Sequence, residues 1–145
     1  MKFSTKGRYA IRMMLDLAMQ PNDTFTPLRD IAERQDISIK YLEQITAMLH
    51  RAELVQSSRG NAGGYRLVKA PEQYTLGEIL RVSEGSLEPV SCLAEGKCDN
   101  ACNCLTRHFW HGLSEQIANY VDNYTLADLV SGSRPEERTA QPAEK

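Results

Sequence analysis

Along the first fifty residues, apolar side chains fall at helical spacing three times. Ala10, Met13, Met14, Leu17 and Ala18 recur every three or four positions; Ser4 or Thr5 can cap that helix, and Pro21 and Asn22 close it. A second, short helix is predicted from Thr26, with Thr26 as cap, Pro27 in the first turn, and Leu28, Ile31 and Ala32 facing inward. Ser38 caps a third, from about Ile39 to Ala52, whose apolar side is Leu42, Ile45 and Leu49. Only Gln35, Asp36 and Ile37 lie between the second and third helices, a connection tight enough to cross them steeply as a helix-turn-helix.

The pattern then changes. Leu54 to Ser57 and Tyr65 to Val68 read as short strands around a glycine-loaded tip, RGNAGG, from Arg59 to Gly64. Thr75 to Gly85 gives a fourth helix with Leu76, Ile79 and Leu80 apolar and Gly85 as its stop. A long helix follows in which Leu105, Phe109, Leu113, Ile117, Tyr120 and Tyr124 recur, with Trp110 and Val121 alongside. That stripe is too long and aromatic for a lone exposed helix and predicts pairing with a second copy of the chain, Gly112 marking a close backbone approach. Thr125 and Asp128 are spaced as a capping box for a last short helix. The fold class expected is mainly α with a small β-hairpin, a winged helix-turn-helix plus a long dimerisation helix. Its divisions are a DNA-binding domain over 1–70, a linker helix and cysteine loop over 71–104, a dimerisation helix and short terminal helix over 105–130, and a polar, disordered tail over 131–145.

Charge sharpens this picture. The net charge of −2 hides a split: residues 1–70 carry 11 Lys/Arg against 7 Asp/Glu, net +4, and residues 71–145 carry 6 against 12, net −6. The amino-terminal half is therefore the part suited to a polyanion. The first helical turn adds Lys2, Lys6 and Arg8 beside two hydroxyls, where a phosphate can sit. No apolar run approaches a membrane span, and the opening MKFSTKGRYA lacks an apolar signal-peptide core, so a cytoplasmic protein with no membrane partner is expected.

The third helix turns Lys40, Glu43, Gln44, Ala47 and Arg51 outward, with Tyr41 beside them. Such a face suits the major groove of double-stranded DNA. Lys40 can approach guanine acceptors, Gln44 can bond adenine bidentately and Glu43 can accept from the amino group of cytosine. A carboxylate near phosphates weakens binding, so Glu43 reads as a device that rejects wrong bases. On the hairpin, Arg59 and Gly60 form a thin tip shaped to enter a minor groove, whose potential is most negative where A·T pairs narrow it.

All four cysteines, Cys92, Cys98, Cys102 and Cys104, fall within the thirteen residues CLAEGKCDNACNC. Sulfur donors select zinc, cuprous copper or iron-sulfur over oxygen-preferring ions. Disulfides do not suit a chain without a secretory opening, and structural zinc favours two compact Cys-x-x-Cys pairs that this spacing lacks. The expected cofactor is an iron-sulfur cluster, with zinc and buried, inert thiols as the lesser alternatives. Catalysis finds no support: no nucleophile stands at a recognisable spacing from a base, and His50, His108 and His111 have no evident carboxylate partner.

The opening KFSTKGRYA, the YLEQI at Tyr41 to Ile45, the RGNAGGY at Arg59 to Tyr65, and the Cys-x5-Cys-x5-Cys of Cys92, Cys98 and Cys104 followed by LTRHFW resemble the IscR-type regulators of the Rrf2 superfamily over roughly residues 1–130. The resemblance implies a homodimeric winged-helix repressor of iron-sulfur biogenesis genes, with a two-iron two-sulfur (2Fe-2S) cluster on the three cysteines and a DNA affinity or site choice that changes with cluster occupancy. It also implies that Glu43 and Gln44 read bases, that Arg59 enters the minor groove and that the start of the first helix contacts phosphates; the DNA-binding residues expected are Lys40, Tyr41, Glu43, Gln44, Arg59 and Gly60. The best-known members place a fourth, histidine ligand where this chain has Arg107, so Cys102 and His108 become the candidates, while His111, one turn further on, reads as surface or interface. A nitric oxide or redox sensor of the same superfamily is an alternative, although the acidic residue that the nitric oxide branch uses near its amino terminus is matched here by Arg8. An iron-sulfur carrier is another; steep salt dependence of DNA binding separates it from a regulator.

Overall fold

A computed structural model describes residues 2–135 of the chain. Its elements are α1 (Thr5–Ala18), α2 (Leu28–Gln35), α3 (Ile39–Arg51), β1 (Val55–Ser58), β2 (Gly64–Leu67), a single 3-10 turn (Pro71–Gln73), α4 (Leu76–Glu84), the one-turn α5 (Ser91–Ala94), α6 (Arg107–Asn123) and α7 (Leu126–Ser131). The expected mainly helical architecture with one hairpin is observed. Of the tail expected from residue 131, Ser131 still belongs to α7 and Gly132 caps it, and residues 136–145 lie outside the described part.

Local chemistry starts and stops the helices. Ser4, Ser38, Thr75 and Thr125 each accept a hydrogen bond from a first-turn amide of α1, α3, α4 and α7, and Asp128 completes the capping box of α7. Thr26 does not cap α2 as expected. Its backbone exchanges two hydrogen bonds of 2.8 Å with Tyr65, adding a one-residue antiparallel bridge to β2 and leaving Pro27 at the cap position with no side-chain bond. Gly64 makes that docking possible: at φ +151° it lies against the Thr26 carbonyl, where a Cβ would collide with backbone.

One hydrophobic core joins these elements. Ala10, Met13, Met14 and Leu17 of α1, Ile31 of α2, Leu42, Ile45 and Leu49 of α3, and Ile79 of α4 are all buried in it, as the helical spacing predicts. Leu54, Val55 and Leu67 bring the hairpin root into the same core. The strands pair antiparallel from Val55 opposite Leu67 to Ser58 opposite Gly64.

Two polar ties hold the parts in register. Asp16, buried on α1, receives Arg34 through Nη2 at 2.7 Å and Nε at 3.0 Å, and Gln35 at 3.0 Å, so α2 is locked to α1 by a saturated carboxylate. The carboxylate raises the Arg34 pKa above its ordinary value. Tyr74, fully buried, donates to the Leu54 carbonyl at 2.6 Å and accepts from the amides of Val68 and Lys69 at 2.9 and 3.2 Å. Its hydroxyl therefore clamps both strands at the root of the hairpin.

Candidate nucleic-acid interface and thiol cavity

The turn between α2 and α3 is built for a steep crossing. Asp36 adopts the left-handed conformation at φ 52°, ψ 50°, its amide and that of Ile37 returning to the Ala32 carbonyl, and Ser38 starts α3 at once. Because Leu42, Ile45 and Leu49 are drawn into the core, Lys40, Glu43, Gln44, Ala47 and Arg51 are exposed together on the opposite face. Tyr41 is placed differently from the others. Its ring is half-buried, edge-on to Tyr9 at 5.5 Å, and spaces α3 from α1.

Arg59 and Gly60 are exposed at the hairpin tip, where Gly60 takes φ +100° with open space around it and the Gly63 amide closes the turn on the Gly60 carbonyl at 3.0 Å. Arg66 lies over the Phe25 ring at 4.4 Å and reaches Gln56 at 3.3 Å, so this second hairpin arginine stiffens the wing while Arg59 stays at the tip.

The amino terminus of α1 carries an anion from the chain itself. Glu84, the last residue of α4, accepts from the Ser4 amide at 2.8 Å and the Ser4 hydroxyl at 2.7 Å, and it packs so closely on Gly7 that a Cβ there would clash with the carboxylate. The position expected to receive a phosphate is thus taken by a carboxylate, with Lys2, Lys6 and Arg8 exposed around it. Nothing in the local sequence announces this contact, which closes over eighty residues.

Beyond Glu84, Gly85 at φ +81° releases the chain into the cysteine loop, and Glu88 at its start accepts from Ser114 of α6. All four thiols are free. Cys92, Cys98 and Cys104 line one cavity of about 240 Å³ together with Arg107, Trp110 and His111, whereas Cys102 is not in its wall. Among the described residues the donors do not converge closely enough to grip a single ion. A two-iron cluster needs less convergence, because its ligands divide between two metals, and soft thiolates with an imidazole are a donor set such clusters accept. The residues present fit that group.

The long helix begins two residues later than its periodicity suggests. Leu105 lies in a turn and is 97% exposed, Thr106 occupies the cap position without a side-chain cap, and α6 starts at Arg107. Cys104 is therefore not on the helix, and its four-residue spacing to His108 does not put the two on one face. The Thr106 hydroxyl lies 3.3 Å from the Cys104 sulfur, and that contact, with the Thr106 amide next, lowers the Cys104 pKa below the ordinary thiol value. Arg107 donates to the Ala101 carbonyl at 3.4 Å, tying the loop to the helix start.

Further along, α6 divides its apolar residues between two tasks. Val121 is buried, and Asp122 binds Arg81 of α4 through two bonds of 2.5 and 3.0 Å, raising the Arg81 pKa, so this end is fixed to α4. Phe109 and Tyr120 stay 63% and 59% exposed, Leu113 is exposed with them, and a largely apolar groove of about 420 Å³ runs between Phe3, Leu76, Leu80, Ile117, Tyr120 and Tyr124. No helix among the described residues is long and apolar enough to cross a membrane.

Comparison with known proteins gives a consistent result. The model of a family described as Rrf2, iron-dependent transcriptional regulator, matches residues 3–132. The chain is 39% identical over 137 residues to the HTH-type transcriptional regulator IscR of Photobacterium profundum, covering 94% of this chain and 80% of that protein. It is 40% identical over 131 residues to the IscR of Vibrio parahaemolyticus, covering 90% and 78%. Among solved structures it resembles CymR, the global cysteine regulator of B. subtilis, with a TM-score of 0.78, 38% identity and coverage of 92% of this chain and 98% of that one. The structure of T. potens IscR gives 0.73, 38%, and coverage of 100% and 94%.

Proposed function

The chain belongs to the Rrf2 family of iron-dependent transcriptional regulators and is a DNA-binding regulator rather than an enzyme, and from that premise we propose that it is a cytoplasmic homodimeric repressor whose operator binding follows the occupancy of a 2Fe-2S cluster. Cys92, Cys98 and Cys104 hold the cluster, and the genes controlled are those of iron-sulfur biogenesis. The observation that carries the reading is the shared cavity: three thiols spaced six residues apart in the loop line one cavity at the start of the helix whose apolar face is exposed.

In this reading Lys40, Glu43 and Gln44 read base edges in the major groove, Arg59 and Gly60 enter the minor groove, and Tyr41 acts by setting the distance of α3 from α1. The exposed apolar face of α6 packs against its copy, which presents two recognition helices to successive major grooves about 34 Å apart.

The route from cluster to DNA runs through contacts already described. The loop from Gly85 to Cys104 leaves α4 and returns to α6, two helices joined by the Arg81–Asp122 pair, and Glu84 links the end of α4 to the first turn of α1. With a cluster held on Cys92, Cys98 and Cys104, those residues would tie the loop to the start of α6 and so set the relation of the two winged modules. Coupling between such sites amounts to about 1–3 kcal/mol, or about 5- to 150-fold in affinity. The test is anaerobic purification with visible absorption and iron and sulfide counting, followed by salt-dependent binding to operator fragments. Bound cluster with steeply salt-sensitive DNA binding is the expected result; cluster transfer to an acceptor with no DNA binding makes the chain a carrier instead.

A further inference from the structure

The geometry points to His111 as the fourth cluster ligand, an assignment that rests on the cluster reading above. A two-iron cluster takes four protein ligands, and the cavity supplies three thiols, leaving one position. Of the remaining side chains in that wall, the Arg107 guanidinium has no lone pair to give and is already donating to the Ala101 carbonyl, and the Trp110 ring nitrogen is a donor only. The His111 imidazole is the one further side chain in the wall with a nitrogen able to bind iron.

The competitors fail on position. Cys102 stands outside the cavity wall, although it is flanked by ligand thiols in sequence. His108 is on α6, but the helix starts only at Arg107, and each residue turns the helix by about 100°, so His108 points well away from Arg107. His111 follows Arg107 by four residues and shares its face, directed at the same cavity. The ligand thus lies one turn inside α6 and not at its first residue. Arg107 lines the same cavity and braces the loop through the Ala101 carbonyl.

Such ligation leaves a signature separate from DNA binding. An imidazole on one iron couples its nitrogen to the reduced cluster, and it raises the reduction potential relative to an all-thiolate site. The experiment reconstitutes the full chain anaerobically with ferrous iron and sulfide, labels histidine with nitrogen-15, and reads hyperfine couplings after reduction in wild type, His108→Ala, Cys102→Ala, His111→Ala and His111→Cys. The assignment expects histidine coupling in the first three, its loss in His111→Ala, and a loaded cluster without that coupling and at lower potential in His111→Cys. Coupling that persists in His111→Ala, or that disappears in His108→Ala, overturns it, as does a loaded wild type showing none. A wild type that takes up neither iron nor sulfide overturns the cluster reading itself, and this assignment with it.

Discussion

Replacing Tyr74 with Phe removes one oxygen and leaves the ring, with the Lys69 ammonium still 4.8 Å above it. That oxygen serves the Leu54 carbonyl at 2.6 Å and the amides of Val68 and Lys69 at 2.9 and 3.2 Å. Each buried polar group left without a partner costs about 1–3 kcal/mol. Val68 is exposed, so water can take its amide; Leu54 is buried, and its carbonyl bears most of the loss. The three bonds share one atom and do not add, which sets the expected destabilisation at about 2–3 kcal/mol. For a chain of this length that is a fall in Tm of about 5 to 10 °C. Urea unfolding of the apo protein, at one fixed concentration because dimerisation adds to stability, measures it, with Tyr9→Phe as a control expected to stay near wild type. Tyr74→Phe within about 0.5 kcal/mol of wild type would refute the idea that this hydroxyl clamps the wing, since that is the range of ordinary surface changes.

Other changes probe the interface and its coupling. Gln44→Ala should weaken operator binding by about 1–3 kcal/mol and relax the preference at a single base pair in a competition assay, with the salt slope unchanged. Glu84→Gln removes the carboxylate charge from the first turn of α1, so binding to any DNA should tighten and its salt dependence steepen; unchanged binding at low salt would mean the carboxylate does not compete with phosphates. Tyr120→Asp on the exposed face of α6 should shift the chain toward monomer in sedimentation and lower operator affinity with it, while far-ultraviolet circular dichroism stays unchanged.

What the sequence makes legible follows the range of the interactions. The caps at Ser4, Ser38, Thr75 and Thr125 bind amides three residues away, and the buried stripes of α1 and α3 depend only on helical period, so both can be read locally. Thr26 has an equally good capping sequence, but its backbone is claimed by Tyr65, a partner that exists only after the hairpin folds back. Tyr74 and Glu84 close over twenty and eighty residues, and Asp16 looks like any helix-surface acid until Arg34 and Gln35 reach it. The same limit applies in the thiol cavity. Spacing brings out the cysteines, but whether Cys102, His108 or His111 joins them depends on where α6 begins, and Leu105 and Thr106 delay that start against the apolar period.

The coupling itself is tested by measuring operator affinity of the anaerobic holo dimer beside the Cys92→Ala, Cys98→Ala, Cys104→Ala triple variant, at one salt concentration and over both strong and weakened operator sequences. The account predicts a difference of at least about 5-fold in affinity on one class of site, equivalent to about 1 kcal/mol. Equal affinities on every site, with the holo protein shown to carry its iron and sulfide, would contradict it.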